Sequence, residues 1–237
     1  MSDGAGADRA AVLAAGLAAV EQRVAAACAA AGRARDDVRL VAVSKTWPAS
    51  DVEAVAGLGV LDVGEARDQE AAPKAQALAH LPLRWHFLGQ LQTNKARSVA
   101  SYAAVVHSVD RTRLVGALSD GAQRAGREVR VLLQVSLDGD PDRGGVLPAD
   151  APALADAVAG APGLVLGGVM AVAPRGADPR AAFDALVALG AGLRRDRPGA
   201  LDVSAGMSGD LEQAVAAGAT LLRVGTALFG HRPPLLR

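Results

Sequence analysis

Eight short runs rich in β-branched residues punctuate this chain, and a stretch with helical spacing, mostly rich in alanine, follows each of the first seven. VRLVAVS begins at Val38, VLDVGE at Val60, LRWHFLG at Leu83 and AVVHSVD at Ala104; VRVLLQVSL begins at Val129, LVLGGVMAV at Leu164, LDVSAGMS at Leu201 and LLRVGTALFG at Leu221. Strands alternating with helices run parallel, because each helix carries the chain back to the edge where the last strand began. Eight is the count at which such a sheet closes on itself, so the pattern predicts an α/β fold of the (β/α)8 TIM-barrel type. A doubly wound open sheet would need helices on both faces and a switch in strand order, and the pattern offers no place for one.

Ahead of the repeat, Leu13, Leu17, Val20, Val24 and Cys28 recur at steps of four and three, which predicts one extra amphipathic helix over about 8–31. The length of 237 residues and the 51% hydrophobic content suit a single barrel domain spanning 1–237. Ser50 and Glu53 have the spacing of a capping box, and Gly57 with Gly59 ends the short helix that follows. DGDPDRGG near residue 140 and APRGADP near 175 read as long loops after the fifth and sixth strands.

Charge narrows the choice of partners. Lys plus Arg and Asp plus Glu number 25 each, so no basic field exists to hold nucleic acid or an anionic membrane. Cys28 is the single cysteine, which excludes an internal disulfide and any CxxC pair and suits a reducing compartment. Asp8, Arg9, Glu21 and Arg23 interrupt the alanine-rich start, and no uninterrupted apolar run approaches the roughly 20 residues of a membrane span. The expectation is a soluble, cytoplasmic protein.

In a barrel the functional groups gather at the C-terminal ends of the strands. Lys45 shares a face with Val41 and Val43, which puts an amine at the rim if that face is the lumen. Desolvation there would favour the neutral amine and let it attack a carbonyl as a Schiff-base nucleophile; the plain alternative is a lysine that snorkels to solvent. The seventh strand ends in SAGMSGDLE, where Gly206 allows close backbone approach, Ser208 suits a helix N-cap, and Asp210 and Glu212 fall in the first turn beyond. The eighth ends in RVGTALFG, with Gly225 and Thr226 at the turn. Barrels often hold a phosphate between these two loops. Closure places both beside Lys45, and the set describes a phosphorylated aldehyde, with pyridoxal 5'-phosphate (PLP) as the candidate. Arg223 lies two residues before Gly225 on the same face, in reach of a pyridine nitrogen. A guanidinium cannot give up a proton to become an acceptor, so it would keep that nitrogen unprotonated and make the ring a weak electron sink.

These stretches resemble the pyridoxal phosphate homeostasis protein family, barrels similar to the N-terminal domain of alanine racemase. The resemblance rests on AVSKTWP from Ala42, VGEARDQE from Val63, WHFLGQLQTNK from Trp85, HSVDR from His107, AGMSGDLEQAVAAGAT from Ala205 and RVGTALFG from Arg223. It implies that Lys45 carries PLP covalently, that Ser208, Gly225 and Thr226 bind the phosphate, and that Arg223 faces the pyridine nitrogen. Three positions depart from the family pattern: Ala66 stands where asparagine is usual, Ala205 where methionine is common, and Ser136 where asparagine is common.

The resemblance also implies binding, buffering and delivery of PLP to apo-enzymes, with effects on amino-acid and keto-acid balance, in place of turnover. A racemase needs acid-base groups on both faces of the bound substrate, and the single tyrosine, Tyr102, falls before the fourth strand at the other end of the barrel. A PLP-dependent racemase or lyase is the competing reading. His86 and His107 read as hydrogen-bonded structural histidines, Trp47 and Trp85 as packing residues, and Arg143 as a solvated loop charge. The expected state is a monomer.

Overall fold

A computed structural model describes residues 3–140 and 143–231. The eight predicted runs are all strands: β1 (Arg39–Val43), β2 (Asp62–Glu65), β3 (Arg84–Phe87), β4 (Val105–Val109), β5 (Val129–Gln134), β6 (Leu164–Met170), β7 (Asp202–Ser204) and β8 (Leu221–Val224). They form one closed parallel barrel in sequence order. β8 closes on β1 with Arg39 opposite Leu221 and Val41 opposite Arg223. Around it lie α2 (Ala49–Gly57), α3 (Asp68–Ala77), α4 (Ala96–Tyr102), α5 (Thr112–Arg124), α6 (Ala151–Ala159), α7 (Pro179–Asp196), α8 (Leu211–Ala217) and α9 (Thr226–Phe229), while α1 (Asp3–Ala30) precedes the repeat. A turn of helix therefore follows the eighth strand too, where only a short tail was expected. In the fifth loop, Pro141 and Asp142 lie outside the described residues.

Period-two alternation sorts the strands into two cores. Outward residues such as Leu40, Ala42, Phe87, Val106, Val203 and Leu222 join the large apolar layer beneath the helices. Inward Val41, Val105, Leu132, Met170 and Leu221 make a separate, smaller cluster in the lumen. Below that cluster the lumen is closed by charge: Asp202 accepts from Arg39 at 2.5 Å and Arg130 at 2.8 Å, and Asp62 accepts from Arg84 at 2.5 Å. Paired this way, the carboxylates offset most of the cost of leaving bulk water. The opposite, C-terminal end opens onto a cavity.

The predicted apolar stripe of α1 packs as expected, with Leu13, Val20, Val24 and Cys28 buried and Leu17 against the same core. Each fully buried side chain there is worth about 1.5–3 kcal/mol. The sequence reading missed one property: residues 8–30 are long and apolar enough by composition to cross a membrane, because alanine counts as apolar. Here the helix lies along the barrel wall, with 28% of that window buried. At Gly16 a Cβ would lie 2.3 Å from the carbonyl oxygen of Leu228, so α1 meets α9 almost backbone to backbone.

The capping box predicted at Ser50 and Glu53 does not form. Pro48, held near φ −70° with ψ 164°, is the N-cap of α2, so Ser50 falls inside the first turn and caps nothing. The predicted end holds: Gly59 takes φ +93°, and the Val60 N–H returns to the Val55 carbonyl at 3.3 Å.

Gly16→Ala should push α1 off α9 and lower folding stability by about 1–3 kcal/mol, read as a lower urea midpoint.

Candidate cofactor site

After Val43 the chain leaves β1 through a loop fixed from behind. The buried Ser44 hydroxyl donates to Glu65 Oε1 at 2.7 Å, and Lys74 Nζ donates to the same oxygen at 2.6 Å and to the Ser44 carbonyl at 3.1 Å. Thr46 takes φ +74°, a costly conformation for a β-branched residue, and its N–H donates to Glu70 Oε2 at 2.9 Å. These bonds hold the backbone on both sides of Lys45. The Lys45 side chain is exposed, against the expectation of a desolvated amine: the chain has already cleared the apolar layer of Val41 and Val43 when it reaches residue 45. Trp47 stacks on Phe229 with centroids 6.1 Å apart, and Arg9 of α1 lies over its ring at 4.3 Å. It is thus a packing residue that also lines the site.

On β7 the expected N-cap changes identity. Asp210 occupies the N-cap position of α8 without a side-chain capping bond, and its carboxylate accepts from the Met207 N–H at 2.6 Å, so Ser208 lies outside the cap. The Ser208 hydroxyl instead accepts from the Ala227 N–H of α9 at 3.1 Å, tying the loop after β7 to the helix after β8. Arg23 of α1 donates to the Ser208 carbonyl at 3.0 Å while paired with Glu212. Gly206 sits at φ +85°, and a Cβ there would lie 2.5 Å from that of Ala214. Its contact is with α8 behind the cavity wall, so it shapes the turn without lining the site. Ala205 is buried in the outer core and also faces away.

Lys45, Ser208, Gly225, Thr226 and Arg223 line one cavity of about 630 Å³ at the open end of the barrel. Val43, Trp47, Leu88 and Met207 give it apolar walls, and Ala66, the departure from the family asparagine, lines it as well. Arg223 forms part of the floor: NH1 donates to Ser204 Oγ at 2.6 Å and NH2 to the Ala171 carbonyl at 2.9 Å. Burial pulls its pKa down to about 10, opposed by the charge of Asp210, so the guanidinium remains protonated at neutral pH.

Beneath Arg223 the two histidines are hydrogen-bonded, as the sequence reading expected, but to each other. His107 Nδ1 meets Ser204 Oγ at 2.9 Å, His107 Nε2 meets His86 Nδ1 at 2.8 Å, and His86 Nε2 meets Asp62 Oδ1 at 2.7 Å. Complete burial pushes the His107 pKa well below the usual histidine value, and the nearby charges of His86, Arg223 and Arg39 add to the effect.

Other predicted positions lie away from the cavity. Trp85 packs with Val52 and Val63 under α2 and α3. The Tyr102 hydroxyl donates to Asp68 Oδ1 at 3.3 Å, and burial beside Asp68 raises its pKa. Ser136 is buried and accepts from the Gly139 N–H at 3.1 Å. Arg143 is more than a solvated charge: it donates to Asp138 at 2.7 Å and to the carbonyls of Val172 and Ala173 at 3.1 and 2.9 Å, clamping the loops after β5 and β6. The sequence reading passed over Gly89, Val172 and His231, which also line the cavity. Gly89 alone had a usable signal, as the glycine that ends the third run.

An amine, two hydroxyls and a buried guanidinium surround one cavity at the C-terminal end of a parallel barrel, the end where barrels of this class carry their small-molecule sites. Residues 16–233 match the family described as alanine racemase, N-terminal domain. Curated relatives named pyridoxal phosphate homeostasis protein include that of Mycobacterium tuberculosis, 42% identical with 95% of each chain covered. That of Pseudomonas aeruginosa is 45% identical, covering 91% of this chain and 94% of its own. The PipY protein of Synechococcus elongatus, solved with PLP bound, superposes with a TM-score of 0.78 at 36% identity, covering 89% of this chain and 100% of that one. The chain belongs to the alanine racemase N-terminal domain family and, within it, to the pyridoxal phosphate homeostasis proteins.

The unfolded chain takes up a proton at His107 as pH falls through about 6.5, and the folded chain does not. This contribution to stability is therefore complete above that pH and declines below it, by up to about 1.4 kcal/mol per pH unit. His107→Gln should flatten the slope of unfolding free energy against pH between about 6.5 and 5, measured by urea titration at each pH.

Proposed function

We propose that this protein binds PLP covalently through Lys45 and serves its homeostasis, buffering the cofactor and delivering it to apo-enzymes without turning over a substrate of its own. One observation carries the reading: an exposed amine in the loop after β1 and the hydroxyls of Ser208 and Thr226 beyond β7 and β8 surround one cavity whose floor includes the buried Arg223. The donor set fits the cofactor. Ser208, Thr226 and the close backbone approach at Gly225 suit a phosphate, Lys45 suits an aldehyde, and Arg223 suits a ring nitrogen that accepts a hydrogen bond. Gly206 contributes by holding the turn that carries Ser208.

When bound, PLP supplies an aldehyde carbon and an electron-withdrawing ring. Lys45 Nζ would hold that carbon by condensation with loss of water, and hydrolysis would return the free aldehyde and the amine, which suits a carrier. Arg223 keeps its own protons and gives none to the ring nitrogen, which limits carbanion chemistry. The lone, buried, unpaired Cys28 supports a reducing, cytoplasmic setting.

One observation favours a second reading, a weak PLP-dependent racemase or lyase: the imidazole of His231 lines the same cavity and adds a titratable group. Exchange of the α-proton of alanine in D₂O decides between them; the carrier gives none above the rate of free PLP.

Purified protein incubated with PLP and desalted should keep a visible band, and borohydride reduction with peptide mapping should place the adduct on Lys45. Lys45→Ala should lose the reducible adduct. Replacing Ser208 and Thr226 together by alanine should raise the Kd for PLP about 100-fold, equivalent to about 3 kcal/mol, measured by equilibrium dialysis. A protein that stays colourless at saturating PLP defeats the cofactor reading.

A further inference from the structure

Polar groups in the lumen form one continuous file from the cavity floor to the charged base of the barrel. Arg223 has only donors, so its NH1 bond to Ser204 Oγ uses a lone pair of that hydroxyl. Ser204 is fully buried and has one proton to place, and the acceptor within reach is His107 Nδ1 at 2.9 Å. His107 then carries its proton on Nε2 and donates to His86 Nδ1 at 2.8 Å. His86 in turn carries its proton on Nε2 and donates to Asp62 at 2.7 Å, whose other oxygen takes Arg84. Every donor thus points the same way, from the cation under the cavity toward the carboxylate at the base. The opposite arrangement would put the His107 proton on Nδ1 and strand the Ser204 hydroxyl proton in an apolar layer, at the cost of an unsatisfied buried donor.

Packing alone does not call for such a file. Val41, Val105, Leu132, Met170 and Leu221 fill the same layers of the lumen with apolar side chains. Two imidazoles among them carry four ring nitrogens that must all be paired to avoid a desolvation penalty, and here all four are. The file ends on Arg223, whose hydrogen bonds go to the Ser204 hydroxyl and the Ala171 carbonyl and to no carboxylate among the described residues.

We propose that His107 and His86 are positioning residues for Arg223: through Ser204 they hold the guanidinium in one orientation and so fix the donor presented to the ring nitrogen of the bound cofactor. This rests on the reading of the cavity as a PLP site with Arg223 at the ring nitrogen. The requirement at position 107 is a side chain that accepts toward Ser204 and donates toward His86. Glutamine offers an acceptor and a donor; leucine offers volume and neither.

Two measurements test it. In protein without PLP, ¹⁵N NMR of the imidazoles should show the His107 and His86 protons on Nε2, and a His107 proton on Nδ1 overturns the file. In protein loaded with PLP, His107→Leu should move the visible absorption maximum and raise the Kd about tenfold, and His107→Gln should restore most of both. Ser204→Ala, which removes a single oxygen, carries the same comparison independently of whether His107→Leu folds. An unchanged spectrum and Kd in folded His107→Leu and Ser204→Ala overturn the positioning role. Wild-type protein that takes up no PLP sinks the cofactor reading instead, and the tautomer result then stands by itself.

Discussion

Closure of β8 against β1 is the constraint on which the site depends. The register that sets Val41 beside Arg223 also brings the loop carrying Lys45 next to the turn carrying Gly225 and Thr226. In an open sheet the first and last strands would be edges, and groups 180 residues apart in sequence would have no reason to meet. Closure also removes those edges as templates for mispairing. The functional face is thus a by-product of the same hydrogen-bonded ladder that completes the fold.

Around that ladder the site is held by polar groups outside the cavity. Glu65, Lys74 and Glu70 grip the loop before and after Lys45 from the helix layer, and Ser208 bonds the backbone of a neighbouring helix. Most of these bonds are part-buried, so their partners lose little to water and each carries more weight than a surface pair. The Lys45 side chain stays exposed while its neighbours do the holding.

Strand count, strand order and the rim positions of Lys45, Ser208, Gly225, Thr226 and Arg223 were legible because they follow from local periodicity plus one closure rule. What failed were assignments of a partner to a polar group. Ser208 reads equally well as a cap for α8 or as an acceptor for a helix one loop later; the N-cap of α8 falls two residues further on, at Asp210, and the hydroxyl accepts from α9 instead. Ser50 lost its cap to the fixed backbone of Pro48. The histidine file is invisible in sequence for a related reason: alternation tells which face His86 and His107 occupy, but not that strands β2, β3, β4 and β7 set their side chains at bonding height across the lumen.

Helix α1 stands outside the barrel repeat, yet Arg23 holds the Ser208 carbonyl, Gly16 abuts α9, and Arg9 pairs with Asp51 at 2.6 Å while covering Trp47. It bridges the seam where the last strand meets the first. The loops bearing Ser208, Thr226 and Lys45 therefore share one support and belong to one cooperative unit. In hydrogen-exchange terms their amides should open together, at a free energy set by how firmly a single helix is seated.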